Sequence, residues 1–166
     1  MKNHIIHPIP PFYDRDSRIL ILGSFPSQKS REQMFFYGHP QNRFWKVIAC
    51  VFDDGEPIGI PGKKAFLAKH HIALWDVIGE CDIEGSSDAS INNVKANDLS
   101  IILDNTRIDR VFFNGKTAWR YYKKYSETKT NIKAVCLPST SPANASWSID
   151  RLTDAWREEI RRKQDR

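Results

Sequence analysis

Four short runs of branched and aromatic residues stand out along the chain, and each is followed by glycine, proline or a polar loop. They lie at residues 19–22, 72–75, 111–113 and 134–137. Continuous apolar runs of this length are typical of strands that are buried on both faces of a parallel sheet. The pattern therefore predicts four buried strands.

Between these runs, apolar residues recur at helical spacing, which predicts helices around residues 44–52, 99–103, 118–125 and 149–160. Ser148 precedes the last of these stripes and is its predicted N-cap. Strands that alternate with helices predict a three-layer α/β/α sandwich with a central parallel four-stranded sheet. Because the chain shows neither a repeat nor a linker, we expect one domain over residues 1–166, with an N-terminal arm at 1–17 and a basic tail at 161–166.

The loops that follow the predicted strands are where a ligand should bind. In α/β sheets, ligands sit outside the carboxyl ends of the strands. The corresponding loops here lie at residues 23–30, 76–90, 114–115 and 138–146. They contain most of the unusual polar residues of the chain.

Composition narrows the class of protein without identifying a ligand. The 166 residues are 40% hydrophobic and carry a formal net charge of +5, a basic excess that suits a polyanionic partner. The longest apolar run, residues 47–52, is far too short to span a membrane, and the N-terminus lacks a secretory signal pattern. We therefore expect a cytoplasmic monomer that makes no membrane contact.

Cysteine spacing argues against a metal centre. Cys50, Cys81 and Cys136 are odd in number and widely separated, which fits neither a disulfide framework nor a CxxC metal site. We therefore expect no metal to be bound by these cysteines.

Three loop segments carry the candidate chemistry. The first, GSFPSQKS at 23–30, lacks the GxxxxGK[ST] pattern of a nucleoside-triphosphate site. The second, YGHPQNRFW at 37–45, crowds aromatic rings around one histidine and one asparagine, and we expect Tyr37 and Asn42 in its exposed part. The third, LPSTSPANAS at 137–146, holds hydroxyls and an amide, although an ordinary capped turn would look similar.

Together, and in this order, the three segments resemble those of the uracil-DNA glycosylase superfamily. They are most similar to the hypoxanthine (deoxyinosine) DNA glycosylase branch, which is related to the mismatch-specific uracil-DNA glycosylases. The resemblance extends from His7 to Trp156. It implies an α/β/α fold with a parallel four-stranded sheet, in agreement with the periodicity.

The resemblance also implies an activity. A monofunctional enzyme would flip a deaminated base out of double-stranded or single-stranded DNA and hydrolyse its N-glycosidic bond, leaving an abasic site and using no cofactor. The sequence departs from the superfamily in two motifs: Phe25 stands where the first motif usually has its catalytic asparagine, and the last motif has Ser139 in place of an asparagine and lacks the histidine of the main uracil branch. In the hypoxanthine branch that role falls on the asparagine of HPQNRFW, here Asn42, which we expect to orient a water.

The other site residues follow from the same resemblance. His39 and Ser139 are candidates to assist Asn42 in catalysis, and Tyr37 is the candidate stacking platform. Asp76 is the predicted acceptor for the N1–H of hypoxanthine, with Asn114 as its alternative. The remaining predicted contacts, to the base or to DNA, are Ser24, Phe25, Ser27, Ser30, Ser141, Pro142, Ala143 and Asn144.

Three other interpretations remain open from the sequence. The enzyme could prefer uracil or mismatches. A non-catalytic nucleic-acid-binding module would use the same basic charge and aromatic residues. A small-molecule nucleotide hydrolase would act on free deoxynucleosides and ignore DNA.

Overall fold

The structure is a computed structural model that describes residues 2–127, 130 and 132–162. Residues 163–166 of the predicted basic tail lie outside the described residues. The strands are β1 (Asn3–Ile6), β2 (Ile19–Gly23), β3 (Ile72–Asp76), β4 (Ile78–Ile83), β5 (Asn92–Ala96), β6 (Arg110–Asn114) and β7 (Lys133–Leu137). The α-helices are α1 (Gln28–Gln33), α2 (Phe44–Val51), α3 (Gly59–Lys69), α4 (Ser100–Leu103), α5 (Lys116–Tyr125) and α6 (Ile149–Ile160).

The four predicted strands form the central sheet. Its order is β3-β2-β6-β7 and all its neighbouring strands are parallel. Every residue of β2 and β3 is buried, which explains their uninterrupted apolar sequences. The register pairs Gly23 with Asp76 and Asn114 with Leu137, so the strands end along one edge of the sheet. The predicted α/β fold with a parallel four-stranded sheet flanked by helices is confirmed.

Helices cover the sheet as predicted, and two additional ones appear. The four predicted helices correspond to α2, α4, α5 and α6, and the Ser148 hydroxyl caps α6 by accepting from the Arg151 N–H at 3.1 Å. The sequence missed α1, which has only six residues, and α3, which contains two glycines and one proline and buries only Phe66 and Leu67. None of the helices in the described ranges is long and apolar enough to span a membrane.

A second, antiparallel sheet of order β1-β4-β5 was not predicted. Its outer strands β1 and β5 are largely exposed, and the half-buried β4 between them mixes polar with apolar residues, so none of the three shows the unbroken apolar run of a central strand. The chain passes from β3 into β4 through Val77, whose N–H donates to the Gly23 carbonyl at 2.8 Å. This junction places the small sheet, including the N-terminal β1, directly beside the carboxyl ends of β2 and β3.

Candidate active site

A cavity of about 380 Å³ opens at the carboxyl ends of the parallel strands. This volume lies within the range of small-molecule sites. Its wall comes from the ends of β2, β3 and β6, from the loops after β2, β4 and β7, and from the segment before α2. Twelve of the fourteen predicted site residues line it: Ser24, Phe25, Ser27, Ser30, Tyr37, His39, Asn42, Asp76, Asn114, Ser139, Ser141 and Ala143.

A larger cavity, of about 450 Å³, lies against α4 and is lined by residues 96–100, 103, 104, 126 and 130. It contains none of the residues singled out by the sequence motifs. The cavity at the strand ends is therefore the better candidate, because position in the fold and motif residues coincide there.

Asp76 ends β3 and forms a buried pair with His7. The His7 Nε2 lies 2.7 Å from the Asp76 Oδ2, and the two side chains are only 3% and 6% exposed. The His7 ring also contacts Phe25 edge-on, with ring centroids 5.7 Å apart. The predicted base-reading carboxylate is thus held in place by a residue of the N-terminal arm.

Asn42 belongs to a chain of hydrogen bonds that crosses the cavity wall. The Thr140 N–H donates to the Asn114 Oδ1 at 2.9 Å, and the Asn114 Nδ2 donates to the Thr140 hydroxyl at 2.9 Å. That hydroxyl therefore donates onward to the Asn42 Oδ1, 2.8 Å away, which also accepts from the Phe44 N–H at 2.9 Å. With two donors on its oxygen, Asn42 is left with only its NH₂ group to offer to a ligand.

Arg43 ties the loop after β7 to the start of α2. Its guanidinium donates to the carbonyls of Thr140, Ser141, Asn144 and Trp147. Hydrogen bonds from a charged group to carbonyls are among the stronger ones in proteins. The loop that supplies Ser139, Thr140 and Ser141 to the cavity is thereby fixed.

Tyr37 is half-buried rather than exposed. Its ring stacks on Phe44 with centroids 4.0 Å apart and planes at 17°. Its hydroxyl is buried beside the Asp76 and Asn114 side chains. Burial first, and the nearby Asp76 charge second, raise the pKa of Tyr37, so the hydroxyl keeps its proton and remains a donor.

Asp88 is a second carboxylate in the cavity, which the sequence analysis did not single out as a site residue. It lies in a short 3-10 helix, Asp88–Ser90, and its Oδ1 accepts from the Ser24 hydroxyl at 3.2 Å. Although the residue is exposed at the cavity rim, surrounding protein atoms desolvate the carboxyl and raise the pKa of Asp88. The polar loop at 85–90 therefore forms one wall of the site.

Several predicted DNA contacts are used by the protein itself. Ser30 is 2% exposed, and its hydroxyl accepts from the Gly38 N–H at 2.9 Å, so it has little surface to offer a phosphate. The Ser27 hydroxyl caps α1 by accepting from the Ser30 N–H. Asn144 donates through Nδ2 to the Ser139 carbonyl at 3.0 Å and, like Pro142, does not line the cavity.

His39 and Ser139, the two candidate assistants in catalysis, both face the cavity while making local contacts. The His39 Nδ1 accepts from the Gln41 N–H at 3.1 Å, and the Ser139 hydroxyl accepts from the Ser141 N–H at 3.1 Å. Across the described ranges, no group of three or more His, Cys, Asp or Glu side chains is arranged to hold a metal ion.

The residues that sequence reasoning missed are His7, Thr140 and Asp88. Thr140 and Asp88 lie in segments that the sequence analysis quoted, so their position after a strand was the available signal. His7 had no comparable signal, because its partner Asp76 is 69 positions away and β1 was not predicted.

Comparison with known proteins gives one consistent family. The uracil DNA glycosylase superfamily profile matches residues 10–163. A hypoxanthine DNA glycosylase from Methanosarcina barkeri is 35% identical over 114 residues, 68% of this chain and 72% of the relative. One from Methanosarcina acetivorans is 33% identical over 147 residues, 87% and 92% of the two chains. A solution NMR structure of a Methanosarcina acetivorans protein, provisionally described as a uracil DNA glycosylase, is similar with a TM-score of 0.79 at 30% identity, covering 95% of this chain and 98% of that one.

Proposed function

This chain belongs to the uracil-DNA glycosylase superfamily and is a DNA glycosylase, and we propose that the base it removes is hypoxanthine, flipped into the cavity from deoxyinosine. The observation that carries the proposal is the Asp76 carboxylate, buried in the cavity wall at the end of β3. Two relatives named hypoxanthine DNA glycosylase support it.

Asp76 suits hypoxanthine because of the proton on N1. Hypoxanthine carries an N1–H donor beside its C6 carbonyl, whereas adenine has a bare N1 beside an amino group. A carboxylate accepts a hydrogen bond and has none to give while it is ionised. A site built around one such bond rejects the wrong base strongly, because its polar group is then left unpaired.

The flipped base needs an aromatic surface, and the cavity offers Tyr37 and Phe25. Stacking of a base on an aromatic side chain is worth about 1–3 kcal/mol, comparable with the cost of flipping a mispaired nucleotide. Because Phe44 already covers one face of the Tyr37 ring, only the opposite face is available for stacking. Ser141, at the cavity wall, is the proposed contact to the strand that carries the base, because its hydroxyl accepts from the Ala143 N–H and keeps its own proton to donate.

Hydrolysis breaks the bond between C1′ and the base, adds the hydroxyl of a water to C1′, and transfers the remaining proton to the departing base. Positive charge develops on the sugar and negative charge on the base, so donors aimed at the base stabilise the transition state. Asn42 presents its NH₂ group, since its oxygen is occupied, and we assign it this donor role. The role differs from the water-orienting one expected from the sequence. Ser139 and His39 are the further candidate groups at the cavity.

Two of the alternatives from the sequence now have less support. The family match indicates an enzyme that acts on DNA, which disfavours the binding module and the free-nucleoside hydrolase. A preference for uracil stays the main alternative, because the N3–H of uracil is also a donor that a carboxylate accepts.

Single-turnover excision from duplexes that carry hypoxanthine, uracil, xanthine or adenine at one position tests the proposal. We expect hypoxanthine to be released fastest and adenine to remain in place. Faster release of uracil than of hypoxanthine would contradict it.

Gly23→Ala is expected to impair the enzyme through Asp76. A β-carbon at Gly23 would lie 2.5 Å from the Asp76 Oδ1 and 3.2 Å from the Tyr37 hydroxyl, and the carboxylate has little room to move because His7 holds it. A displacement near 1 Å costs about 10²-fold in rate, so we expect a loss of that order in hypoxanthine excision. Gly55→Ala, where nothing lies within 4 Å, is the matched control, and equal rates for both variants would refute the effect.

The chemistry is expected to stop at the abasic site. A lyase forms a Schiff base through an amine, and no lysine is among the cavity-lining residues. Borohydride added during turnover should therefore trap no covalent protein–DNA adduct, as judged by denaturing electrophoresis. A trapped adduct at the yield of a known bifunctional glycosylase would contradict this prediction.

A further inference from the structure

His7 is hydrogen-bonded to the Asp76 carboxylate but does not line the cavity, and the proposed function gives it no role. Its side chain is 3% exposed, and it follows β1, so the antiparallel sheet delivers it to the edge of the cavity. Both ring nitrogens make hydrogen bonds, and the ring contacts Phe25 and Trp75 in T-shaped arrangements. A buried histidine held on this many sides has one fixed orientation.

The hydrogen bonds also fix which nitrogen of His7 carries the proton. The Ile9 backbone N–H donates to the Nδ1 at 3.2 Å, so that nitrogen has no proton of its own. The proton is therefore on Nε2, which donates it to the Asp76 Oδ2 at 2.7 Å. The His7 ring therefore donates only from Nε2, and only toward Asp76.

This donation makes the two oxygens of Asp76 unequal toward a ligand. Oδ2 is engaged by His7, whereas Oδ1 lies over the Cα of Gly23, 2.5 Å from the position a β-carbon would take there. The absence of a side chain at Gly23 is what keeps this oxygen clear. A ligand donor therefore has Oδ1 to itself, whereas at Oδ2 it must share the oxygen with the His7 N–H.

We propose that His7 is a specificity-determining positioning residue that disfavours guanine by donating to one oxygen of Asp76. This inference rests on the proposed function, in which Asp76 receives the N1–H of a 6-oxopurine. It adds the reason why a closely related normal base is not removed.

The chemistry of the two bases explains this preference. Hypoxanthine and guanine share the C6 carbonyl and the N1–H, and guanine differs only by an amino group on C2. A carboxylate with both oxygens free accepts the N1–H of guanine on one oxygen and the C2 amino group on the other. Because Oδ2 already accepts from His7, the amino group has to share that oxygen, and the weaker bond it forms in a desolvated site disfavours guanine.

The test compares hypoxanthine and guanine excision in the wild type, His7→Leu and His7→Gln. Each base is placed opposite thymine in the same duplex, because a mispaired base is flipped most readily. Leucine removes the donor and frees Oδ2, whereas glutamine keeps an N–H that can reach it. We expect the ratio of hypoxanthine to guanine rates to fall by at least about tenfold in His7→Leu and to stay close to the wild-type ratio in His7→Gln.

The outcomes separate this inference from the proposed function. A wild type that leaves hypoxanthine in place overturns both. A wild type that excises hypoxanthine, with an unchanged ratio in folded His7→Leu, overturns only the role of His7. A rise in guanine excision in His7→Gln as large as in His7→Leu also overturns it.

If His7→Leu does not fold, a measurement on the wild-type protein tests the donation from His7 to Asp76. The ¹⁵N spectrum of the His7 imidazole should show a protonated, slowly exchanging Nε2 and an unprotonated Nδ1. A proton on Nδ1 at neutral pH would mean that the inferred donation is absent, and the proposal would be wrong.

Discussion

Replacement of Asn42 by alanine is expected to reduce single-turnover excision of hypoxanthine by about 10²–10³-fold, the usual cost of removing one donor that stabilises transition-state charge. The substitution removes no core side chain. It does remove the acceptor for the Phe44 N–H and the Thr140 hydroxyl, which costs on the order of 1–2 kcal/mol of folding free energy. DNA binding, measured at equilibrium, should persist while turnover is lost.

Asn42→Asp separates the two possible roles of this residue. A carboxylate retains the acceptor for Phe44 and Thr140 but replaces the NH₂ group by oxygen. If Asn42 acts as a donor, this variant should be as slow as Asn42→Ala although its melting temperature is closer to that of the wild type. Activity near or above the wild-type level would show that the residue activates water, and would contradict the donor assignment.

Asp76→Asn is expected to have the largest effect on base preference. The His7 Nε2–H will pair with the amide oxygen, because two donors repel, and so the NH₂ group turns toward the position of Oδ1. That group opposes the N1–H of hypoxanthine and matches the bare N1 of adenine. We expect hypoxanthine excision to fall by at least about 10²-fold, and the ratio of hypoxanthine to adenine rates to fall with it.

Asp88→Asn is the matched control for charge in the same cavity. It removes a carboxylate at the rim while leaving Asp76 paired with His7. The readout is the ratio of rates on hypoxanthine and adenine, which should change in Asp76→Asn and not in Asp88→Asn. An unaltered preference in a folded Asp76→Asn protein would remove Asp76 from base recognition.

The central sheet could be predicted because the burial of its strands is visible in runs of consecutive apolar residues. Strands such as β2 and β3 are buried on both faces, so their residues before the terminal Gly23 and Asp76 are apolar and the sequence shows an unbroken run. Parallel strands also bring their carboxyl ends to one edge, which is why loops far apart in the chain were expected to share a site. Twelve of the fourteen predicted site residues do line one cavity.

Only the tertiary structure determined the hydrogen-bond partners of those residues and the atoms that they turn toward a ligand. His7 meets Asp76 across 69 positions, and Thr140 meets Asn42 across 98, through strands and loops whose polar sequences carry no period. Such contacts determine which oxygen of Asp76 is free and which end of the Asn42 amide faces a ligand. A hydrogen bond has a direction that is set by both partners, and a sequence motif records only one partner at a time. The sequence therefore identified the residues of the site, whereas the fold determined what each can donate or accept.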